Sequence, residues 1–499
     1  MRGGVFPRLG STPGRVSSTS LTVASVGAVL LLLTILAIVQ DTSTKRLRNV
    51  LLITVDTLRA DHLGCYGYPL ETSPTIDRLA GQSVLFENAY CQIPKTNPSL
   101  ATIMTGLYPS THKILQLQLN LPDAYITLAE ALHARGYATC GIVGQYNLSK
   151  RTGLAQGFES YFDTFPSYEA VTRPGGHFDS MAEKRAKDLV DLGIGWFRTT
   201  QPRNFFLWIH FMDPHAAYDP LPPYDEAFPE SSYSTALEID VERIHRQAFD
   251  PPRQDLAYYL RRYDGEIRAM DDQIGRLLDE LRRAGALEET MVVFTADHGE
   301  YMGDPDGPAV QYFSHGETLT EAEIHVPLIW HIPGETGRGI RLSKVVETAD
   351  IFPTIMDLTG LKGPAWDGQS LSPLFASSNP DQKLGKAFSY SFESNTVSIQ
   401  SERWKLTWRP KASLAGYFEG RSTFGSVSTS GEWLLYDRMR VGGPLDPMAM
   451  APDLLGQLQR ELLMKLEVPP TKRDHMKYPA SQPLNDPELI ERLKLLGYL

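Results

Sequence analysis

The sequence predicts an α/β protein built on a doubly wound, mostly parallel sheet, followed by a smaller C-terminal α+β subdomain. Three observations carry that prediction. Apolar, β-branched runs alternate with amphipathic helical stretches from residue 49 to about residue 375. The runs are apolar at consecutive positions, as strands buried on both faces of a parallel sheet must be. Asp56, His210 and the pair Asp297–His298 stand where such runs end, and open α/β sheets bind ligands at the carboxyl ends of their strands.

Residues 1–20 are polar and Gly/Ser-rich and are expected to be disordered. Residues 21–40, LTVASVGAVLLLLTILAIVQ, carry no charge and are long enough to span a bilayer. Arg2, Arg8 and Arg15 precede this stretch and Lys45, Arg46 and Arg48 follow it, so flanking charge does not set its orientation. No small-residue cleavage site follows Val39-Gln40-Asp41. The reading is an uncleaved transmembrane signal-anchor, with the large domain outside the cytoplasm (periplasmic, lumenal or extracellular). A cleaved signal and a secreted domain are the alternative. Residues 41–48 form a linker.

The large domain is expected over residues 49–375. Asn49–Val55, NVLLITV, reads as its first strand. A helix at 74–82 and a strand at 84–90 follow. In residues 89–106, AYCQIPKTNPSLATIMTG, Asn97 is a strong N-cap, Pro98 suits a first helical position, and Gly106 suits the residue past the end. This predicts a helix at about 98–105 with Thr96 just before its N-terminus, where free N–H groups favour an anion. Further helices are read at 125–135 (closed by Gly136), 181–198 and 256–284, the last from its stripe Ile267, Met270, Ile274, Leu277, Leu278 and Leu281. Strands are read at 137–143, 204–209, 291–295 and 326–332. Residues 216–254 are Pro- and acid-rich without periodicity, as in a covering loop. After 375 the texture changes. Short antiparallel strands are expected within 386–408 and at 431–437, with a helix at 452–467. The subdomain and its extended tail run over 376–485, and a C-terminal amphipathic helix over 486–499.

Forty-eight basic against 59 acidic residues give a net charge of −11, which argues against a nucleic-acid partner. Three cysteines, Cys65, Cys91 and Cys140, cannot form a disulfide framework and are expected to be buried thiols. Cys65–Cys91 is the pair an exported domain would allow.

Asp56, Asp297 and His298, with the hydroxyl of Thr96, would hold one divalent metal ion. Two carboxylates and an imidazole suit Zn²⁺ or Mn²⁺, and Ca²⁺ or Mg²⁺ stays open. Such an ion would acidify the Thr96 hydroxyl and polarise an ester oxygen.

At these residues the chain resembles the sulfatase family of the alkaline-phosphatase superfamily. The resemblance is carried, in order, by NVLLITVDTLRADHLGCYGY, TNPSLATIMTGLYP, FFLWIHFMDPHAAY, FTADHGE, SHGETLTEAEIHVPLI and DIFPTIMDLTG…DGQSLSPLF. It implies the alkaline-phosphatase/sulfatase fold, with Asp56, Asp297 and His298 as metal ligands and Thr96 at the nucleophile position. It also implies that His215 and His315 contact the transferring group or protonate the leaving oxygen, with His210 beside them. Arg59 and Asp61 are read as a structural ion pair.

The chain departs from the family's pattern in ways that matter. The family oxidises a Cys or Ser in C/S-x-P-x-R to formylglycine. Here Thr96 and Leu100 stand at the Cys/Ser and Arg positions, and Pro94 is one residue too far from Cys91. Thr57 stands where many members have a second Asp, and His298 where many have Asn. GIVGQYNLSK lacks the family's Lys/His pair. Threonine nucleophiles in the superfamily occur in phosphodiesterases, nucleotide pyrophosphatases and phosphoethanolamine transferases.

The expected function is therefore a metal-dependent hydrolase that cleaves a phosphoric (di)ester or sulfuric ester through a covalent Thr96 intermediate, acting on a small-molecule, glycan or lipid ester. One metal is expected rather than two, because Asp213 and His215 are spaced two apart. The alternatives are a membrane-anchored phosphoethanolamine-type headgroup transferase and a non-catalytic binding protein on the same fold. Oligomeric state is not readable.

Overall fold

The computed structural model describes residues 48–165, 183–233, 254–304, 312–334, 339–375, 385–414, 430–439 and 452–467, apart from 118 and 364 and with 240, 242, 244 and 445 in addition. The chain divides between Arg46 and Leu47 into two units, and all described residues lie in the second. The N-terminal tail, the 21–40 stretch and the C-terminal helix at 486–499 fall outside the described residues. Among the described residues no helix is long and apolar enough to cross a membrane.

β1 (Asn49–Val55), β2 (Val84–Tyr90), β3 (Ala138–Val143), β4 (Ser160–Phe162), β5 (Phe205–Phe211), β6 (Thr290–Ala296), β7 (His325–His331) and β8 (Ile340–Glu347) form one eight-stranded sheet in the order β4-β3-β5-β1-β6-β7-β2-β8. Only β7 breaks the parallel pattern, running antiparallel to β6 and β2. The fold class is the one the sequence predicts. Every residue of β1, β5 and β6 is buried, which explains their unbroken apolar runs. Two strands escaped the sequence reading. β4 has only three residues, and β8 is an edge strand whose first half, Ile340-Arg341-Leu342-Ser343-Lys344, carries the charges that protect edges.

Among the described residues, the helices of six or more residues are α1 (Pro74–Ala80), α2 (Thr96–Thr105), α3 (Leu128–His133), α4 (Ala186–Thr200), α5 (Leu256–Arg283), α6 (Ile351–Leu358) and α7 (Pro452–Glu467). α3 begins three residues later than its apolar pattern, because Thr127 and Glu130 form a capping box there. The α5 stripe from Ile267 to Leu281 is buried as predicted.

The C-terminal subdomain is an antiparallel sheet of β9 (Ala387–Ser391), β10 (Thr396–Gln400), β11 (Trp404–Pro410) and β12 (Gly431–Asp437), covered by α7. Leu455, Leu458, Leu462 and Leu466 of α7 join Val397, Ile399, Leu406 and Trp408 in its core. It docks on the segments that flank Thr96 and His315. The Tyr390 N–H donates to the Gln92 carbonyl (2.8 Å), and the Ser389 and Ser391 hydroxyls donate to the carbonyls of Cys91 (2.7 Å) and Gly316 (2.8 Å). All three cysteines are free thiols, Cys91 and Cys140 buried, so the Cys65–Cys91 pair does not form.

Candidate active site and metal centre

The site is built by strand register. β1 pairs with β5 on one side and β6 on the other, with Val55 opposite Phe211 and Ala296. The next residues, Asp56 and Asp297, are therefore brought together just past the strand ends. The Asp56 N–H donates to Phe211 O (2.9 Å) and the Asp297 N–H to Val55 O (3.2 Å). His210 does not follow its strand, as the sequence reading had it, but lies within β5 opposite Thr54. Phe211 continues the apolar run and extends the strand past it.

Thr96 is the first residue of α2, not the residue before the helix, and Asn97 is not the cap. The Asn97 side chain instead donates to Leu117 O at 2.8 Å. Lys95 takes the extended cap position and no side chain caps this end. The first turn thus keeps its polarity for an incoming anion. Ser99 Oγ donates to Asp297 O (2.6 Å) and ties α2 to the end of β6. Gly106 closes the helix in the left-handed conformation (φ 66°), as predicted.

Thr96 Oγ1 lies 3.4 Å from Asp56 Oδ2 and 3.5 Å from His298 Nε2. His298 Nε2 is 3.7 Å from Asp56 Oδ1 and 3.6 Å from Asp297 Oδ2. His298 Nδ1 donates to Gly299 O (2.9 Å), which fixes the tautomer and leaves the Nε2 lone pair facing the carboxylates. Asp56, Asp297 and His298 offer ligand atoms that all lie within 4.8 Å of one another. Asp56 Oδ1 and Asp297 Oδ2 are buried without a hydrogen-bond partner. Orphaned carboxylate oxygens in a buried site, facing an imidazole lone pair, fit a divalent cation.

Electrostatics agree. Burial raises Asp297 well above the usual carboxylate range and the charge of Asp56 adds to the rise. Burial opposes ionisation of Asp56 too, but the hydrogen bond from His210 and then the charge of His215 outweigh it and hold Asp56 low. Burial, then His315, pushes His298 down to about 3, so it is a neutral imidazole. Without a cation the two carboxylates are driven apart, Asp56 toward the ionised form and Asp297 toward the protonated one.

His315 joins this centre, its ring 4.5 Å from that of His298 and 5.4 Å from that of His215. His215 Nδ1 donates to Ala216 O at 2.6 Å. Asp213 accepts from the Ala186 N–H at the start of α4 (2.8 Å) and lies 3.5 Å from Arg185, so it anchors the loop that carries His215. Arg59 pairs with Asp61 (2.7 Å), as expected, and also with Asp304 (2.8 Å).

Three site residues were missed from the sequence. Glu300, fully buried, accepts from His315 Nδ1 (3.0 Å) and from the Tyr218 hydroxyl (3.3 Å). Burial foremost pushes Glu300 up to about 8. Gln145, two residues past β3, donates its amide to Asp56 Oδ2, with Asn147 behind it. The strand-end rule that found Asp56 would have found Gln145. Tyr263 of α5 has no such signal. Its hydroxyl donates to Thr57 O (2.7 Å) and accepts the Arg59 N–H (2.9 Å).

Tyr263 matters because Thr57 is a β-branched residue at φ 53°, a conformation that must be held. That turn aims the Thr57 N–H at the Asp297 carboxylate. Tyr263→Phe leaves a buried carbonyl and a buried N–H unmatched. It is expected to cost about 2–4 kcal/mol in denaturant unfolding and to weaken divalent-ion binding by calorimetry about tenfold. An unchanged ion affinity would show that the turn needs no clamp.

An α/β sheet that gathers two carboxylates and an imidazole just past its strand ends, beside a hydroxyl at a helix start, forms a candidate divalent-ion centre on an alkaline-phosphatase-like fold. The sulfatase family model matches residues 48–361, and the chain belongs to the sulfatase family of ester hydrolases. It is 27% identical over 435 residues to an arylsulfatase of Clostridium perfringens, covering 74% of this chain and 87% of that one. It is 25% identical over 407 residues to human iduronate 2-sulfatase, covering 65% and 71%. Among solved structures it resembles the phosphonate monoester hydrolase of Agrobacterium radiobacter, with a TM-score of 0.66, 23% identity and coverage of 86% and 96%, a likeness of fold.

Proposed function

We propose that this chain hydrolyses sulfuric or phosphoric esters by direct attack of Thr96, with one divalent ion held by Asp56, Asp297, His298 and Thr96 Oγ1. The observation that carries the reading is the position of Thr96 Oγ1 at the uncapped start of α2, within 3.5 Å of both Asp56 Oδ2 and His298 Nε2. The donor set favours Zn²⁺ or Mn²⁺ over Ca²⁺ or Mg²⁺. When bound, the ion supplies Lewis acidity, which lowers the pKa of the Thr96 hydroxyl and polarises the ester.

The chain supplies the rest. The first turn of α2 orients the anionic group. Thr96 Oγ1 forms a bond to phosphorus or sulfur as the bond to the leaving oxygen breaks. His315, its Nδ1 held 3.0 Å from Glu300, and His215 give a proton to that oxygen and are restored by the proton that Thr96 Oγ1 releases. Water then cleaves the Thr96 ester and returns the hydroxyl. His315→Asn is expected to lower kcat about 100-fold for alkyl esters and much less for nitrophenyl esters, whose leaving group needs no proton. Equal losses on both would remove His315 from that role.

The reading is tested by metal analysis of the purified chain, followed by assay of stripped and reloaded protein on nitrophenyl sulfate, phosphate and phosphodiester. Activity that survives chelation with no metal present would sink it. Relatives named for ulvan and for iduronate and N-acetylgalactosamine sulfates support a glycan or small-molecule ester as substrate.

The apolar 21–40 stretch favours a second reading, a membrane-anchored headgroup transferase, since it would hold the site near lipid. Product analysis separates the two: a free headgroup marks the hydrolase, an acceptor adduct the transferase. The same anchor would place the domain outside the cytoplasm, which protease accessibility of intact cells or vesicles tests. A binding role without catalysis would need a chain that takes up no metal on titration.

A further inference from the structure

We infer that Gln145, backed by Asn147, is the charge filter of the site: a neutral amide donor that receives an anionic oxygen of the transferring group, so that singly charged groups are accepted and doubly charged ones are disfavoured. The inference rests on the ester-hydrolase reading above.

The geometry places Gln145 beside the nucleophile. Its amide nitrogen donates to Asp56 Oδ2, the same oxygen that Thr96 Oγ1 approaches at 3.4 Å. An oxygen of a group bound at Thr96 is therefore within reach of that amide. Gln145 is held in place rather than loose, being 4% exposed, with its Oε1 3.4 Å from Asn147 Nδ2 and its Nε2 3.4 Å from His210 Nε2. Asn147 is 5% exposed, and its Oδ1 is buried without a partner. Two adjoining buried amides, one with an unmatched oxygen, form a polar wall that costs free energy until a ligand or water completes it.

The charge balance gives that wall its consequence. Asp56 and Asp297, once ionised, would neutralise one divalent cation, and loss of the Thr96 proton would leave the centre with net negative charge. Among the described residues, the cationic side chains that flank the site are committed elsewhere. Lys95 pairs with Glu393, and Arg59 with Asp61 and Asp304. Arg185 pairs with Glu266 (3.1 Å) and lies 3.5 Å from Asp213. Lys184 donates to the carbonyls of Val143 and Phe162 (3.2 Å each) and lies over the Phe165 ring. A second negative charge on the ligand thus meets amides and imidazoles, and no uncommitted ammonium or guanidinium, in a site where unmatched charge is expensive.

The test uses two non-hydrolysable ligands of the same shape, phenylsulfonate (one charge) and phenylphosphonate (two charges at about pH 8). Each is titrated by calorimetry into metal-loaded wild-type protein and into Gln145→Lys and Gln145→Met. The wild type is expected to bind the sulfonate at least as tightly as the phosphonate. Gln145→Lys is expected to shift the ratio toward the phosphonate by about tenfold or more, and Gln145→Met to weaken both. Because Gln145 supports Asp56, ion affinity, titrated separately, is expected to fall by about tenfold or more in both variants, so each anion is titrated at a saturating concentration of the ion. A wild type that prefers the phosphonate, or a ratio unmoved by lysine, overturns the inference. So does a failure of either anion to bind, or a loss of ion affinity that accounts for the whole effect. These outcomes leave the hydrolase reading intact, because that reading fails on a different result, activity that survives removal of metal or of Thr96.

Discussion

Thr96→Ala is expected to lower kcat/KM by about 10⁴-fold or more on the best ester substrate while leaving the fold intact. The size follows from the role. Thr96 Oγ1 is the only hydroxyl at the start of α2 that approaches both Asp56 Oδ2 and His298 Nε2 among the described residues. On the proposed reading, its removal takes away the atom that would form the covalent bond. The fold should survive because Thr96 is buried at a helix start that no side chain caps, and alanine is a strong helix former. Stability should change by no more than about 1 kcal/mol. Thr96→Ser keeps the hydroxyl and is expected to retain activity within about tenfold. Alanine and serine variants of equal activity would show that the hydroxyl is not the attacking group.

The second large effect is expected at Asp297. Asp297→Asn should weaken divalent-ion binding by about 100-fold or more, since on the proposed reading it removes one of two charged ligands. It should also stabilise the metal-stripped protein. There, burial and then Asp56 raise Asp297 well above its ordinary value, so the folded state binds a proton that the unfolded state has lost by neutral pH. A carboxyl raised in this way contributes stability that is complete below its unfolded value of about 3.9 and is lost as pH rises toward the raised folded value. The stripped wild type should therefore lose stability as pH climbs above about 4. The cation takes the place of that proton, so the rise in Tm on adding metal should be larger at about pH 8 than at about pH 6. In Asp297→Asn both the pH trend and the metal-induced rise should shrink. Scanning calorimetry of stripped and loaded proteins across that range checks each part, and a metal-induced rise that falls with pH would contradict the account.

Much of this site could be read from the chain alone because one physical rule placed it. β1, β5 and β6 are buried on both faces and stand out as unbroken apolar runs, so the first polar residues after them were conspicuous. Asp56, Asp297 and His298 were found that way, and the structure brings them together by register. The start of α2 was read one step late, because Asn97 and Pro98 look like a cap and a first turn, whereas Asn97 turns to Leu117. What stayed hidden depends on contacts between distant segments. Tyr263 reaches Thr57 across 206 positions, and nothing local to Thr57 announces its left-handed backbone. Glu300 is an acidic residue like many others until His315 and Tyr218 are seen to converge on it. β8 was lost because an edge strand must carry charge, which erases the apolar run that marks its neighbours.

The central claim is that Thr96 itself carries the transferred group. Acid-quenched turnover followed by peptide mass spectrometry tests it most directly. The account predicts a phosphoryl or sulfuryl adduct on the Thr96 hydroxyl, absent from Thr96→Ala, with Cys91 recovered as an unmodified thiol. An adduct on another side chain, or a Cys91 converted to an aldehyde together with full turnover by Thr96→Ala, would contradict it.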